Sequence, residues 1–252
     1  MKKNLLFLAI LFLALSTNAQ KRKNKDATTE ERINPTFSYS PPTRESVAST
    51  GITIALLNPI FINRDINAAG SPWSDFAKAM ANDVEDLLTS KGFKVKGPYS
   101  SLDEMVVSDK MSSDFIMQIS IDIEPKIQRK WKELFVLLSS GKLYKVDNGD
   151  VSINGKVLLT ALSSFSAEKL WKKDLDLNQK NFSYTGSVRW PTTNVNPITE
   201  FNQDVNLWNP TCKNLEDLYK ESFDILYKQF EKAEMKNIAE MSRKTDKDRR
   251  SN

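Results

Sequence analysis

Hydrophobic and polar positions recur with two periods along this chain, and the period changes partway through. Ile52 to Leu57 is a run of β-favouring residues that stops at Asn58-Pro59, a strand followed by a turn. A polar loop holding Asn63, Arg64 and Asp65 then leads to Gly70-Ser71-Pro72, where Ser71 suits an N-cap and Pro72 a first helical residue. Phe76, Met80, Val84, Leu87 and Leu88 follow at helical spacing, and Gly92 is placed to end that helix. Phe93 to Lys96 reads as a short strand and Leu102 to Met111 as a weaker helix. Phe115, Met117, Ile119, Ile121 and Ile123 then alternate with mainly polar neighbours, the clearest strand in the chain.

Beyond residue 130 the period stays near two. Phe135 to Leu138 and Lys142 to Val146 predict strands, and Asn148-Gly149 predicts a two-residue hairpin. Val151, Ile153, Val157 and Leu159, then Trp171, Lys173, Leu175 and Leu177, continue an antiparallel meander. Residues 178–211 show no periodicity and contain Pro191, Pro197 and Pro210, which predicts a long loop. A final helix is expected over 212–243, with Leu215, Leu218, Phe223, Leu226 and Phe230 inward, and a charged tail over 246–252. The expected fold is therefore α/β (α+β): a small strand-helix-strand-helix-strand unit, extended by an antiparallel meander, with a long C-terminal helix on the sheet.

The first fifty residues differ in character. Lys2 and Lys3 precede eleven apolar residues, Leu5 to Leu15, and then Ser16 to Ala19. As a helix that run is about 17 Å long, short of the roughly 30 Å needed to span a bilayer. Residues 1–19 are thus expected to be a cleaved signal peptide and the protein to be exported, with at most peripheral membrane association. Residues 20–50, with Lys21, Arg22, Lys23 and Lys25 and then Thr, Ser, Pro and Glu, are expected to be a disordered linker. The globular part is expected as one domain over 51–245.

Composition narrows the chemistry. Hydrophobic residues make up 40% of the 252 residues and charged residues 27%, enough apolar surface for a real core. The chain has no histidine, which removes Ser-His-Asp and Cys-His catalysis and histidine metal sites. One cysteine, Cys212, excludes an internal disulfide and any CxxC site; burial is its expected state. The eight glycines form no GxGxxG or P-loop pattern. A formal charge of +4, about +2 without Lys2 and Lys3, is too small to indicate nucleic acid. No cofactor, metal site or catalytic residue is expected, and the protein is expected to bind rather than catalyse.

Three sets of residues carry candidate chemistry. Lys126, Gln128, Arg129, Lys130 and Trp131 combine cations, an amide and an indole, a set able to hold an acidic sugar; the same lysines would equally protect an edge strand from pairing. Phe182, Tyr184, Trp190, Phe201 and Trp208, in the expected long loop, could form an interface or sugar platform, or could pin that loop to the core. Asp122 with Glu124, and Asp174 with Asp176, are carboxylate pairs two apart on strands; solvent-facing acids on a half-buried sheet account for both without catalysis.

Several strings resemble the neuraminyllactose-binding haemagglutinin family of bacterial surface proteins. Ile54-Ala55-Leu56-Leu57-Asn58-Pro59-Ile60-Phe61 is similar to that family's first strand and its exit. Val84 to Val95, VEDLLTSKGFKV, is similar to its helix, glycine stop and second strand, and Glu124 to Lys130 stands where its basic, glutamine-containing segment stands. The resemblance covers about 51–180 and 212–252. It implies an exported, outer-membrane-associated or surface α/β adhesin that binds a sialylated glycan. The chain departs from the family in having no cysteine near Ala19 for a lipid anchor. The expected partner is a glycan or an envelope protein, the latter through an assembly interface, in the periplasm or at the cell surface.

Overall fold

The computed structural model describes residues 31–41, 48–134, 144–189, 198, 201 and 204–250. The signal-peptide segment, the basic cluster and the strand expected at 135–138 lie outside them. From Arg32 onward the chain forms one unit built on a mixed sheet in the order β3-β1-β4-β5-β6. Strand β1 (Thr53–Leu57) lies between β3 (Lys94–Tyr99) and β4 (Phe115–Leu134), parallel to both. The two-residue β2 (Ile60–Phe61) pairs with β4 farther along, at Ser120 and Ile121. Strands β5 (Tyr144–Ser163) and β6 (Lys169–Arg189) add on antiparallel. The expected α/β architecture is the one observed.

Helix α2 (Trp73–Ser90) crosses one sheet face, burying Trp73, Phe76, Met80, Val84, Leu87 and Leu88. Pro72 takes the cap position that was expected of Ser71, and the helix opens with the Phe76 N–H donating to Pro72 O. It ends as expected at Gly92, whose φ of +89° suits a residue without a Cβ. The expected polar loop instead contains a short helix, α1 (Arg64–Ala68), capped by Asn63 Oδ1 on the Asp65 N–H. The weaker helix shrinks to α3 (Val107–Ser112), preceded by turns. Its neighbours Leu102 and Met105 help cover the other sheet face over Ala55, Leu57 and Ile116, while α2 covers the first.

The meander differs more. Strand β4 runs eleven residues past Ile123, and β5 runs straight through Asn148-Gly149, so no hairpin forms there. Gly149 is required for a different reason. A Cβ on it would lie 2.6 Å from Gln128 O and 2.8 Å from a Tyr184 ring carbon. The glycine thus allows β4 and the Tyr184 ring to close over β5. Gly149→Ala is expected to cost about 1–3 kcal/mol, measured by urea unfolding, because a backbone carbonyl must move to admit the methyl.

The long loop of 178–211 is not observed as such: β6 occupies its first part, to Arg189, and helix α4 (Val205–Gln229) its last. Asp204 caps α4 by accepting from the Asn206 N–H, and Leu207, Thr211, Leu215, Leu218, Ser222 and Leu226 form its buried stripe. Pro210 lies inside this helix, so the proline read as a loop marker does not end it. The expected single C-terminal helix is two, separated at buried Phe230, and α5 (Lys232–Arg250) absorbs most of the expected tail. Its inward stripe passes from Met235, Ile238 and Ala239 to Ser242 and Asp246. The Asp246 carboxylate accepts from the Ser163 and Ser164 hydroxyls, and Arg243 grips Asp114 Oδ1 through Nε at 3.1 Å and Nη2 at 2.6 Å.

Residues 32–41, inside the expected disordered linker, lie extended along the core. Ile33, Pro35, Phe37 and Tyr39 are half-buried while their neighbours are exposed, a strand-like alternation. Their backbone is also held: the Ile33 N–H donates to Asn209 Oδ1 and the Tyr39 N–H to Asp83 Oδ2 at 2.6 Å. Aromatic burial explains why this stretch orders despite its polar composition.

Candidate functional site

The sequence 126–131 belongs to the outer half of β4, and strand alternation sorts its side chains to opposite faces. The pairing sets Lys126, Ser152 and Asn181 in one row across β4, β5 and β6, and Gln128, Asp150 and Ser183 in the next. These six share the face turned away from the helices. Ile127, Val151 and Phe182 form the row between them and belong to the other face, so they contribute backbone to the floor. Together these residues, with Gln179, line an open cleft of about 650 Å³.

Its polar groups are partly pre-ordered. Lys130 Nζ lies 2.6 Å from Asp150 Oδ2, and the Ser183 hydroxyl donates to Asp150 Oδ1 at 2.7 Å. Hydrogen bonds from Lys130 and then Ser183, reinforced by the lysine charge, hold the Asp150 carboxyl below its usual range. The Gln179 amide donates to Asn181 Oδ1 at 2.8 Å. Lys126 pairs with Glu124 at 3.0 Å. Asn148, opposite Lys130 and Thr185 at the end of this surface, has a buried Oδ1 with no hydrogen-bond partner among the described residues. The arrangement offers amides, hydroxyls and charges to a polar ligand.

The five candidates from sequence do not form one cluster. Lys126, Gln128 and Lys130 share the cleft face; Arg129 lies on the opposite one, across from Gly149 and in register with Tyr184. Trp131 is placed only by its backbone pairing with Asp147, its side chain being outside the described residues. Asp150, Ser152, Asn181 and Ser183 escaped sequence reasoning. Their signal is the polar parity of β5 and β6, which becomes informative only once the register is known.

The loop aromatics pin structure together rather than forming a surface. Phe201 is fully buried, Tyr184 covers Gly149, and Phe182 is half-buried. The Trp208 indole N–H donates to Ile33 O at 2.6 Å, with the Arg32 guanidinium 3.6 Å above the ring. Trp190 lies outside the described residues. The acid pairs are interleaved with cations: Lys156 sits 3.8 Å from Asp122, in the row that also holds Asp176, and Lys172 lies 2.9 Å from Asp174. Among the described residues no three histidine, cysteine or acidic side chains converge as metal ligands. Cys212 is buried, as expected, and burial together with Glu216 pushes its thiol up to about 12, leaving little thiolate at neutral pH.

No helix among the described residues is long and apolar enough to cross a membrane. No family model matches the chain, and no curated protein does. Among solved structures, the chain is similar to a Helicobacter pylori protein described as a neuraminyllactose-binding hemagglutinin homolog. The TM-score is 0.57 at 16% identity, over 84% of this chain and 100% of that one. A lipoprotein from Neisseria meningitidis also matches, at TM-score 0.22 and 12% identity, over 60% of this chain and 93% of that one. The first match shows a shared fold, a distant structural relationship to a protein of the kind that the sequence strings resemble.

Proposed function

We propose that this is an exported cell-envelope protein that binds a glycan on the outer face of β4, β5 and β6 and does not transform it. The observation that carries this reading is the 650 Å³ cleft lined by Lys126, Gln128, Asp150, Ser152, Asn181 and Ser183. Amides and hydroxyls in two parallel rows can donate to and accept from sugar hydroxyls, while Lys126 and Lys130 are paired with Glu124 and Asp150. The Helicobacter pylori protein that shares this fold is described as neuraminyllactose-binding, which supports the ligand class.

An assembly role draws less support, because the aromatics that would form its interface, Tyr184, Phe201 and Trp208, are buried within the chain. The test is a glycan array with the purified protein, followed by titration of any hit. Gln128→Ala combined with Asn181→Ala is expected to weaken binding about tenfold or more, the loss of two ligand hydrogen bonds, with the melting temperature unchanged. Absence of binding to every sialylated and neutral glycan overturns the reading, as does binding indifferent to this double substitution.

A further inference from the structure

A second recess lies at the other end of the sheet. It opens at the carboxyl end of β1, where the chain passes from β3 on one side of that strand to β4 on the other. In open parallel sheets such a reversal point leaves a crevice between the crossover connections, the usual place for a ligand. Here it measures about 520 Å³.

Its polar groups come from three elements. Asn58 ends β1, its N–H tied to Tyr99 O at 2.8 Å; Asn67 stands on α1; Lys78 and Asn82 stand one turn apart on α2. The side chains of these four make no hydrogen bond or ion pair with other described residues. Pro59 and Pro98 supply apolar wall, and Pro98 is brought there by Gly97. Gly97 has φ +98°, and a Cβ on it would lie 2.7 Å from Leu56 O. Phe61, the one aromatic lining the recess among the described residues, is 4% exposed and turned against Trp73 and Phe76. Three amides able to pair reciprocally with peptide groups, a cation with no counter-charge among the described residues and a proline wall match a short acidic peptide.

We infer that the recess at the carboxyl end of β1 is a binding site for an extended acidic peptide, its carboxylate held by Lys78 and its main chain by Asn58, Asn67 and Asn82. The site is separate from the cleft on β4 to β6 and does not depend on the glycan reading.

Two probes differing only in charge, acetyl-Ala-Glu-Ala-amide and acetyl-Ala-Gln-Ala-amide, test it by NMR on the purified protein. The acidic peptide is expected to shift the side-chain amide resonances of Asn58, Asn67 and Asn82. Lys78→Met is expected to weaken it about fivefold, to the level of the neutral peptide, which the substitution leaves unchanged. Lys78 is exposed, and an unchanged melting temperature confirms that the variant is folded. The inference is overturned if no resonance in the recess moves, if both peptides bind alike, if Lys78→Met has no effect, or if the shifts fall on the β4 to β6 face.

Discussion

Phe76→Ala is expected to destabilise the protein by about 3–5 kcal/mol, the largest effect of any single substitution considered for it. Phe76 is completely buried on α2 and is the ring at which separate parts of the chain meet. Its centroid lies 5.0 Å from Tyr219 of α4 in an edge arrangement, 5.3 Å from Phe37 of the extended N-terminal segment, and 5.8 Å from Phe61 of β2. Removing it forfeits the transfer free energy of a phenyl group and leaves a cavity that rigid neighbours cannot fill. Three ring contacts are lost as well, each worth about 0.5–1.5 kcal/mol beyond area. Phe37→Ala is the instructive comparison. Phe37 is only half-buried, so its loss is expected to stay below about 2 kcal/mol and to free residues 32–41 for proteolysis while the sheet persists. Urea unfolding of both variants, read by tryptophan fluorescence, separates the two. A Phe76→Ala loss below about 1.5 kcal/mol would contradict the packing described.

The same contrast between local and distant determinants explains what was legible in the sequence. Strand β1, helix α2 and the first half of β4 are legible in the sequence, because β1 is an unbroken apolar run ended by Asn58-Pro59, α2 and β4 each keep one apolar period, and Gly92 marks the end of α2. The continuation of β4 is not. Pro125 and then Lys126 to Lys130 break the alternation, and they are tolerated because β2 leaves β4 at Ile121, after which β4 is an edge. Asn148-Gly149 misled for a related reason: the glycine serves close approach to Gln128 and Tyr184, a contact across strands that no local window contains. Helix α5 was cut short because its inward stripe turns polar at Ser242 and Asp246, whose partners Ser163 and Ser164 are about eighty residues away. Residues 32–41 read as linker because Thr, Ser and Pro dilute a genuine alternation of Ile33, Phe37 and Tyr39. The candidate site was half-legible. Lys126 and Gln128 stood out by type, but which neighbours join them depends on the register of three strands, and Arg129 was lost to the opposite face by strand parity alone.

The second large effect concerns a polar contact within that aromatic cluster. Asp83 Oδ2 accepts from the Tyr219 hydroxyl at 2.6 Å and from the Tyr39 N–H at 2.6 Å, joining α2, α4 and the extended segment at one atom. Tyr219 is 1% exposed, so its hydroxyl has no ready access to water if the carboxylate is removed. Asp83→Ala is expected to cost about 2–4 kcal/mol, because a buried donor and a backbone N–H both lose a charged acceptor. Tyr219→Phe is expected to cost less, about 1–2 kcal/mol, since half-buried Asp83 keeps Tyr39 and can reach solvent. The double variant should fall well short of the sum, the mark of two groups acting through one bond. Alkaline titration gives an independent reading. Burial first, then the hydrogen bond and charge of Asp83, push the Tyr219 phenol above its ordinary value of 10.0. A group whose pKa is raised by folding contributes stability that is complete below the unfolded value and is lost as pH rises beyond it, because the unfolded chain then binds fewer protons than the native one. Stability should therefore decline from about pH 10 upward, on top of the decline that the raised Cys212 thiol introduces above its ordinary value of 9.0. In Tyr219→Phe the limb above pH 10 should become shallower without vanishing, because burial also raises the Tyr39 and Tyr99 phenols, while the cysteine limb remains; Cys212→Ala should remove the cysteine limb and keep the other. If the Tyr219→Phe profile stayed parallel to that of the parent above pH 10, the phenol would not be buried against Asp83, and the junction of the three elements at that carboxylate would be wrong.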